Sequence, residues 1–184
     1  MKIIESLEIE SEIEKINKNF RKYVEQVFSK IFLKKIDRVF KKKLIVQEMN
    51  MESQANNIVA ITVGENIYLN MKLFKEYSTE KAMMYIIHEL LHVLYNKKQF
   101  PEIRTVLKQL AEATMRRIPP DKINEFLTGK KQSIHSNPSL EYLSYCSNAA
   151  FKWSICPELK QIYKDILSES GLFDMDSSFW KKRF

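Results

Sequence analysis

The residues best suited to chemistry stand in the stretch YIIHELLHVLYN, residues 85–96, where Glu89 follows the first of two histidines. Residues four apart lie on one face of an α-helix, about 5–6 Å apart at Cβ. His88 and His92 can therefore hold one metal ion, each through a neutral imidazole nitrogen. Glu89 lies about 100° further round the helix, where its carboxylate can take a proton from a bound water and pass it to a leaving group. The spacing predicts a zinc site that activates water for hydrolysis.

The element that must position these residues is predicted to be an amphipathic helix from Ser78 to about Asn96. Ser78 is a suitable N-cap, and Glu80 places an acid in the first turn, where the helix dipole favours it. Apolar residues at helical spacing predict a stripe that packs on a core: Met83, Ile86, Ile87, Leu90 and Leu94. The two histidines lie on a different face, so we expect them to face a cleft. The alternative is a pair of exposed or hydrogen-bonded histidines that bind no metal.

The rest of the sequence predicts a mixed α+β fold in a single domain, residues 1–184. Residues from about Ser6 to Lys42 predict one or two amphipathic helices. Three short β segments follow, the last two joined as a hairpin: Leu44–Met49, Asn57–Val63 and Ile67–Asn70. Three later helices are predicted: from Pro101 to before Pro119, from Ser139 to about Cys156, and from Pro157 to near Gly171. A long N-terminal helix would thus cover a small, mostly antiparallel sheet, and the C-terminal half would be helical.

The segment GENIYLNMKLFKEYSTEKAMMYIIHELLHVLYN, residues 64–96, resembles the core of the zincin-like metallopeptidases. It is also similar to metallopeptidases that occur beside von Willebrand-type domains or in phages, which have the same order of a strand, an Asn, a short helix and the motif-bearing helix. The resemblance implies a zincin-like fold in which His88 and His92 are zinc ligands and Glu89 is the general base and acid. It also implies that the strand Ile67–Asn70 or its neighbour pairs with an extended peptide substrate.

A catalytic zinc needs a third protein ligand, and three candidates stay open. Glu141 begins the stretch EYLSY, which loosely resembles the ligand-bearing helix of the gluzincins; Tyr145 would share its polar face and could donate to a substrate oxyanion. His135 lies in the predicted loop just before that helix. Glu112 lies on the polar side of its own helix, with Arg116 one turn later. We rank Glu141 first, His135 second and Glu112 third.

Composition and charge indicate which partners and which cellular compartment to expect. The 184 residues carry a net charge of +7, which favours anionic partners. The lysine pairs are scattered and no nucleic-acid-binding motif accompanies them, so nucleic acid is a weaker candidate than a peptide or protein substrate. Cys146 and Cys156 cannot pair within one predicted helix, which indicates a reducing compartment. No signal-peptide pattern and no long apolar run is present, so we expect a cytoplasmic protein without a membrane partner.

Taken together, these patterns predict a zinc-dependent metallopeptidase. The alternative is a catalytically degenerate zincin-like scaffold that binds a metal, together with protein or nucleic acid, without hydrolysing a bond. Two features keep this alternative open: the third ligand is not fixed by the sequence, and the chain is basic.

Overall fold

The computed structural model describes residues 2–41, 46–49, 58–118 and 156–184. Within these ranges the chain forms seven helices and three strands, which confirms the mixed α+β class. The helices are α1 (Lys2–Val27), α2 (Lys30–Phe40), α3 (Met71–Phe74), α4 (Thr79–Asn96), α5 (Pro101–Met115), α6 (Glu158–Ser170) and α7 (Ser178–Lys181). The strands are β1 (Val46–Glu48), β2 (Ala60–Val63) and β3 (Asn66–Leu69). The predicted helix from Ser139 to Cys156 lies almost wholly outside the described residues.

The sheet has the order β1-β3-β2, with β3 parallel to β1 and antiparallel to β2. The predicted hairpin of β2 and β3 is confirmed, and Gly64 in its turn has a φ of 64°, which glycine adopts without steric cost. The sequence predicted a mostly antiparallel sheet, whereas the described strands form a mixed one. Because β3 is paired with both β1 and β2, the first strand named for peptide pairing, Ile67–Asn70, has no open edge, and pairing of a peptide with its neighbour stays a prediction.

The face of the hairpin that turns towards α4 is defined by the register of the two strands. Ala60 pairs with Leu69 and Thr62 pairs with Ile67, so these four side chains lie on the same face of the sheet. Ile67 and Leu69 are fully buried there. The packing of this face on α4 fixes β2 beside the helix that carries the histidines.

Helix α4 begins as the sequence predicts, and its second half is more enclosed than an amphipathic pattern indicates. The hydroxyl of Ser78 accepts a hydrogen bond from the backbone N–H of Lys81 at 3.3 Å, which confirms the N-cap. The predicted apolar stripe is buried. Every residue from Glu89 to Leu94 is buried as well, because α1, α5, β2 and β3 all pack against the helix.

The N-terminal helical region divides into α1 and α2 at Phe28 and Ser29, and the C-terminal segment closes this break. Ser29 caps α2, and its backbone N–H donates to the carbonyl of Leu172 at 2.9 Å. The indole N–H of Trp180 donates to the carbonyl of Val27 at 2.9 Å. The tail that the sequence left unassigned thus packs on the N-terminal helices. Within the described ranges, no helix has the length and apolar character needed to cross a membrane.

Candidate metal centre

The two histidines of α4 point their imidazole rings at a common point. Their Nε2 atoms lie 3.0 Å apart, and the rings meet nearly edge to face at an interplanar angle of 87°. Two nitrogens that ligate one zinc tetrahedrally, each at about 2.0–2.1 Å, would be separated by about 3.3 Å. A separation this close to the required one means that both rings can bind one ion after a small adjustment.

Glu89 completes a group of three potential donors. A carboxylate oxygen of Glu89 and one ring nitrogen each of His88 and His92 all lie within 4.8 Å of one another. The Oε1 atom of Glu89 is 3.8 Å from Nε2 of His88. The structure therefore positions a His-Glu-His group to hold a metal ion, and two imidazoles with a carboxylate are a donor set that suits zinc.

The site is largely withdrawn from solvent. Glu89 is 3% exposed and His92 is 8% exposed, while the side chain of His88 retains 12% of its accessible surface. A carboxylate in such surroundings is stable only when hydrogen-bond donors or a cation offset its lost hydration. The burial of an acid beside two imidazoles is thus consistent with a cationic occupant.

Thr62 of β2 is a member of the site that the sequence reasoning missed. Its Oγ1 lies 2.7 Å from Oε2 of Glu89 and 3.0 Å from the backbone carbonyl oxygen of the same residue. The hydroxyl is therefore placed to donate to the carboxylate. One signal could have found it: in the predicted hairpin, Thr62 is a polar residue on the face that its neighbours occupy with apolar side chains.

Tyr85 lies on the same face of α4 as the histidines, one turn before His88. Its ring is half-buried against Tyr77, with ring centroids 5.5 Å apart. Burial, followed by the interaction with Tyr77, raises the pKa of the Tyr85 hydroxyl above its usual value of 10. Tyr85 thus stays a neutral hydrogen-bond donor at physiological pH.

Of the three candidate third ligands, the structure describes one. Glu112 of α5 keeps 42% of its side chain exposed and lies 3.9 Å from both Lys108 and Arg116. It is not part of the His-Glu-His group, in agreement with its position on the polar side of its helix. His135, Glu141 and Tyr145 lie outside the described residues, and their roles stay predictions.

Comparisons of the chain with protein-family models, with curated proteins and with solved structures gave no significant match. The resemblance to the zincin-like metallopeptidases is therefore limited to the motif-bearing segment. What the structure itself shows is a His-Glu-x-x-His group on a capped helix, with Glu89 and His92 buried and His88 partly exposed, positioned to hold a metal ion.

Proposed function

We propose that the protein is a zinc-dependent peptidase whose active site is built on α4. One observation carries the proposal: two imidazole nitrogens 3.0 Å apart converge beside the buried carboxylate of Glu89. An ordinary helix has no need to bury these three polar side chains together, because apolar residues would fill the same space at lower cost in desolvation.

In this proposal the histidines bind the metal and Glu89 transfers the proton. His88 and His92 would hold the ion through Nε2. Bound zinc would supply a lowered pKa for water and a polarised substrate carbonyl. Glu89 would accept the proton of the attacking water at Oε1, the oxygen nearer to His88, and return it to the departing amine. Glu141 remains our first choice for the third ligand, with Tyr145 beside it as the donor to the substrate oxyanion.

Strand β2 supports a peptide as the substrate class. Among the described strands β2 lies at an edge of the sheet, paired with β3 on one side. It also carries Thr62, which touches Glu89. An extended peptide that added to the outer edge of β2 would gain main-chain hydrogen bonds and run past the carboxylate. The edge strand thus replaces the central strand Ile67–Asn70 in the proposed substrate interaction.

The proposal is tested with the full chain loaded with zinc and assayed on fluorescein-labelled casein, with cleavage sites identified by mass spectrometry. Glu89→Gln keeps the size of the side chain but cannot carry the proton, so it should lower kcat by at least about 100-fold while one zinc stays bound. The matched control is Glu169→Gln, which changes an exposed glutamate of α6 and should leave turnover unchanged. A zinc-loaded wild type without cleavage, or Glu89→Gln with wild-type turnover, would overturn the proposal.

The second candidate is the metal-binding scaffold without hydrolysis, which the net charge of +7 favours. It predicts stoichiometric zinc, no turnover of casein, and zinc-dependent binding of an anionic partner such as a random-sequence oligonucleotide. The same preparations decide between the two functions, because only the peptidase requires a carboxylate side chain at residue 89.

A further inference from the structure

We infer that Thr62 is a positioning residue that holds the Glu89 carboxylate as a proton carrier and keeps it from becoming a metal ligand. The inference rests on the proposed function and adds a role that the His-Glu-x-x-His pattern does not contain. Thr62 stands 27 positions before Glu89 and on a different element of the fold.

A glutamate in this position has two chemical options. Its carboxylate oxygen lies within 4.8 Å of the ring nitrogens of His88 and His92, and zinc binds carboxylate oxygens at about 2.0–2.2 Å. A modest rotation of the side chain would therefore bring Glu89 onto the ion. As a ligand it would occupy the position that water needs, and it would lose the ability to carry a proton.

The hydroxyl of Thr62 decides between these options by holding one of the two carboxylate oxygens. Oγ1 lies 2.7 Å from Oε2, a hydrogen bond to a charged acceptor and thus among the stronger ones in proteins. With Oε2 held towards β2, Oε1 is the oxygen on the side of His88, at 3.8 Å from Nε2. Held in this way, the carboxylate would lie beside an ion bound by the two histidines and would not bind it directly.

Thr62 is itself fixed by the sheet. It pairs across the hairpin with Ile67, which is completely buried. Its β-branched side chain has few rotamers. The hydroxyl has a single hydrogen, and we assign it to the closer acceptor, Oε2 at 2.7 Å, rather than to the backbone carbonyl oxygen of Glu89 at 3.0 Å. Because β2 is also the strand proposed to pair with the substrate, a single strand would set the distance between the scissile bond and the proton carrier.

The first test uses Co²⁺ in place of zinc and requires no turnover. Visible absorption reports the ligand set, since the position and intensity of the bands depend on which donors bind the ion and in what geometry. Wild type, Glu89→Gln and Thr62→Ser should give the same spectrum, because Glu89 is not a ligand while a hydroxyl holds it. Thr62→Val, which removes the hydroxyl but keeps the shape, should shift the bands as the Glu89 carboxylate replaces the bound water on the ion. Adding Glu89→Gln to Thr62→Val should restore the wild-type spectrum.

Two spectral results would overturn the inference: a change in Glu89→Gln alone, which would make Glu89 a native ligand, or an unchanged spectrum in Thr62→Val. Circular dichroism and thermal unfolding confirm that each variant is folded. This test is independent of hydrolysis. If the variants gave the expected Co²⁺ spectra but the protein cleaved no peptide, the proposed function would be refuted and the positioning role of Thr62 would stand.

The second test separates kcat from KM on fluorescein-labelled casein. Thr62→Val should lower kcat roughly 10- to 100-fold, the range for losing a hydrogen bond to a charged group, with KM nearly unchanged. Thr62→Ser should recover most of the rate. Thr105→Val, the same change at an exposed position of α5, is the control for the substitution itself. Equal losses in the valine and serine variants, or a change in KM alone, would contradict the role in an active enzyme.

Discussion

At the scale of single residues, burying the Glu89 carboxylate costs desolvation free energy, and the neighbouring polar groups must offset that cost. Glu89 is 3% exposed, and its neighbours include the hydroxyl of Thr62 and the imidazole of His88. A divalent cation held by His88 and His92 beside the carboxylate would offset the remaining desolvation far better than neutral donors do. Metal binding and folding stability should therefore be coupled in this protein.

This coupling gives a quantitative prediction for metal removal. Zinc present at about 100 times its Kd should raise the free energy of unfolding by about 2.7 kcal/mol at 25 °C, because it binds the folded state alone. His92→Ala removes one Nε2 ligand and should abolish this increment. Urea unfolding with zinc and with a chelator measures both quantities.

Variants of the candidate third ligands serve as the control for this prediction. Glu141→Ala should lose most of the zinc-dependent increment, as His92→Ala does, whereas His135→Ala and Glu112→Ala should retain it. A full increment in His92→Ala would contradict the ligand assignment. A loss in His135→Ala instead of Glu141→Ala would reverse their ranking.

The residue scale also shows which parts of the site a sequence can reveal. His88, Glu89 and His92 stand within five positions of one another, so helical geometry alone predicts that they meet. Thr62 comes from a strand 27 positions away. The hairpin pattern marks Thr62 as a polar residue on an apolar face, but its contact with Glu89 depends on how the hairpin packs on α4, which no local pattern encodes.

At the scale of elements, the hairpin of β2 and β3 sets the position of the site relative to the proposed substrate. Its existence was predictable, because alternating strands around a glycine turn are a local signal. The parallel pairing of β1 with β3 was not, since the sequence pattern of a three-residue strand does not specify its partner. The central position of β3 follows from that pairing, and it leaves β1 and β2 as the two edges of the described sheet.

The hairpin turn offers a test of this arrangement. Gly64 has a φ of 64°, and a Cβ built there would meet no atom within 4 Å. Gly64→Ala should therefore destabilise the protein only through the left-handed backbone, by about 1–2 kcal/mol. It should also lower turnover, because strain at the turn disturbs the strand that carries Thr62. Urea unfolding and the casein assay measure the two effects.

Gly171 supplies the matched control, since it has a φ of 65° and equally open surroundings but caps α6. Gly171→Ala should show a similar loss of stability with kcat unchanged. If both variants affected turnover equally, the hairpin would have no special part in the activity.

At the scale of the whole molecule, the C-terminal segment packs on the junction between α1 and α2. Phe173 stacks on Phe28 with ring centroids 5.5 Å apart, and Trp180 is 3% exposed against the same region. The sequence predicted the N-terminal helices and the helix that ends near Gly171, yet it did not assign residues 173–184. The partners of this segment, Val27 and Phe28, lie far away in the sequence, so no local pattern shows where it packs.

Trp180 should therefore be a major contributor to global stability. Trp180→Ala creates a large cavity and should lower the free energy of unfolding by about 3–5 kcal/mol. Trp180→Phe fills most of that space but removes the hydrogen bond to Val27, and should be intermediate. Thermal and urea unfolding provide the measurement. An alanine variant as stable as wild type would show that the C-terminal segment is dispensable for the fold.

The break between α1 and α2 has a consequence for how the protein is made. The hydroxyl of Ser29 donates to the carbonyl of Gly171, a partner 142 positions further along the chain. During synthesis the N-terminal helices leave the ribosome long before that partner exists, and contacts so distant in sequence form slowly. The newly made chain must hold the apolar faces of α1 and α2 without their final cover until residues 171–184 emerge. Chaperone dependence should therefore persist until residues 171–184 have emerged and packed on α1 and α2.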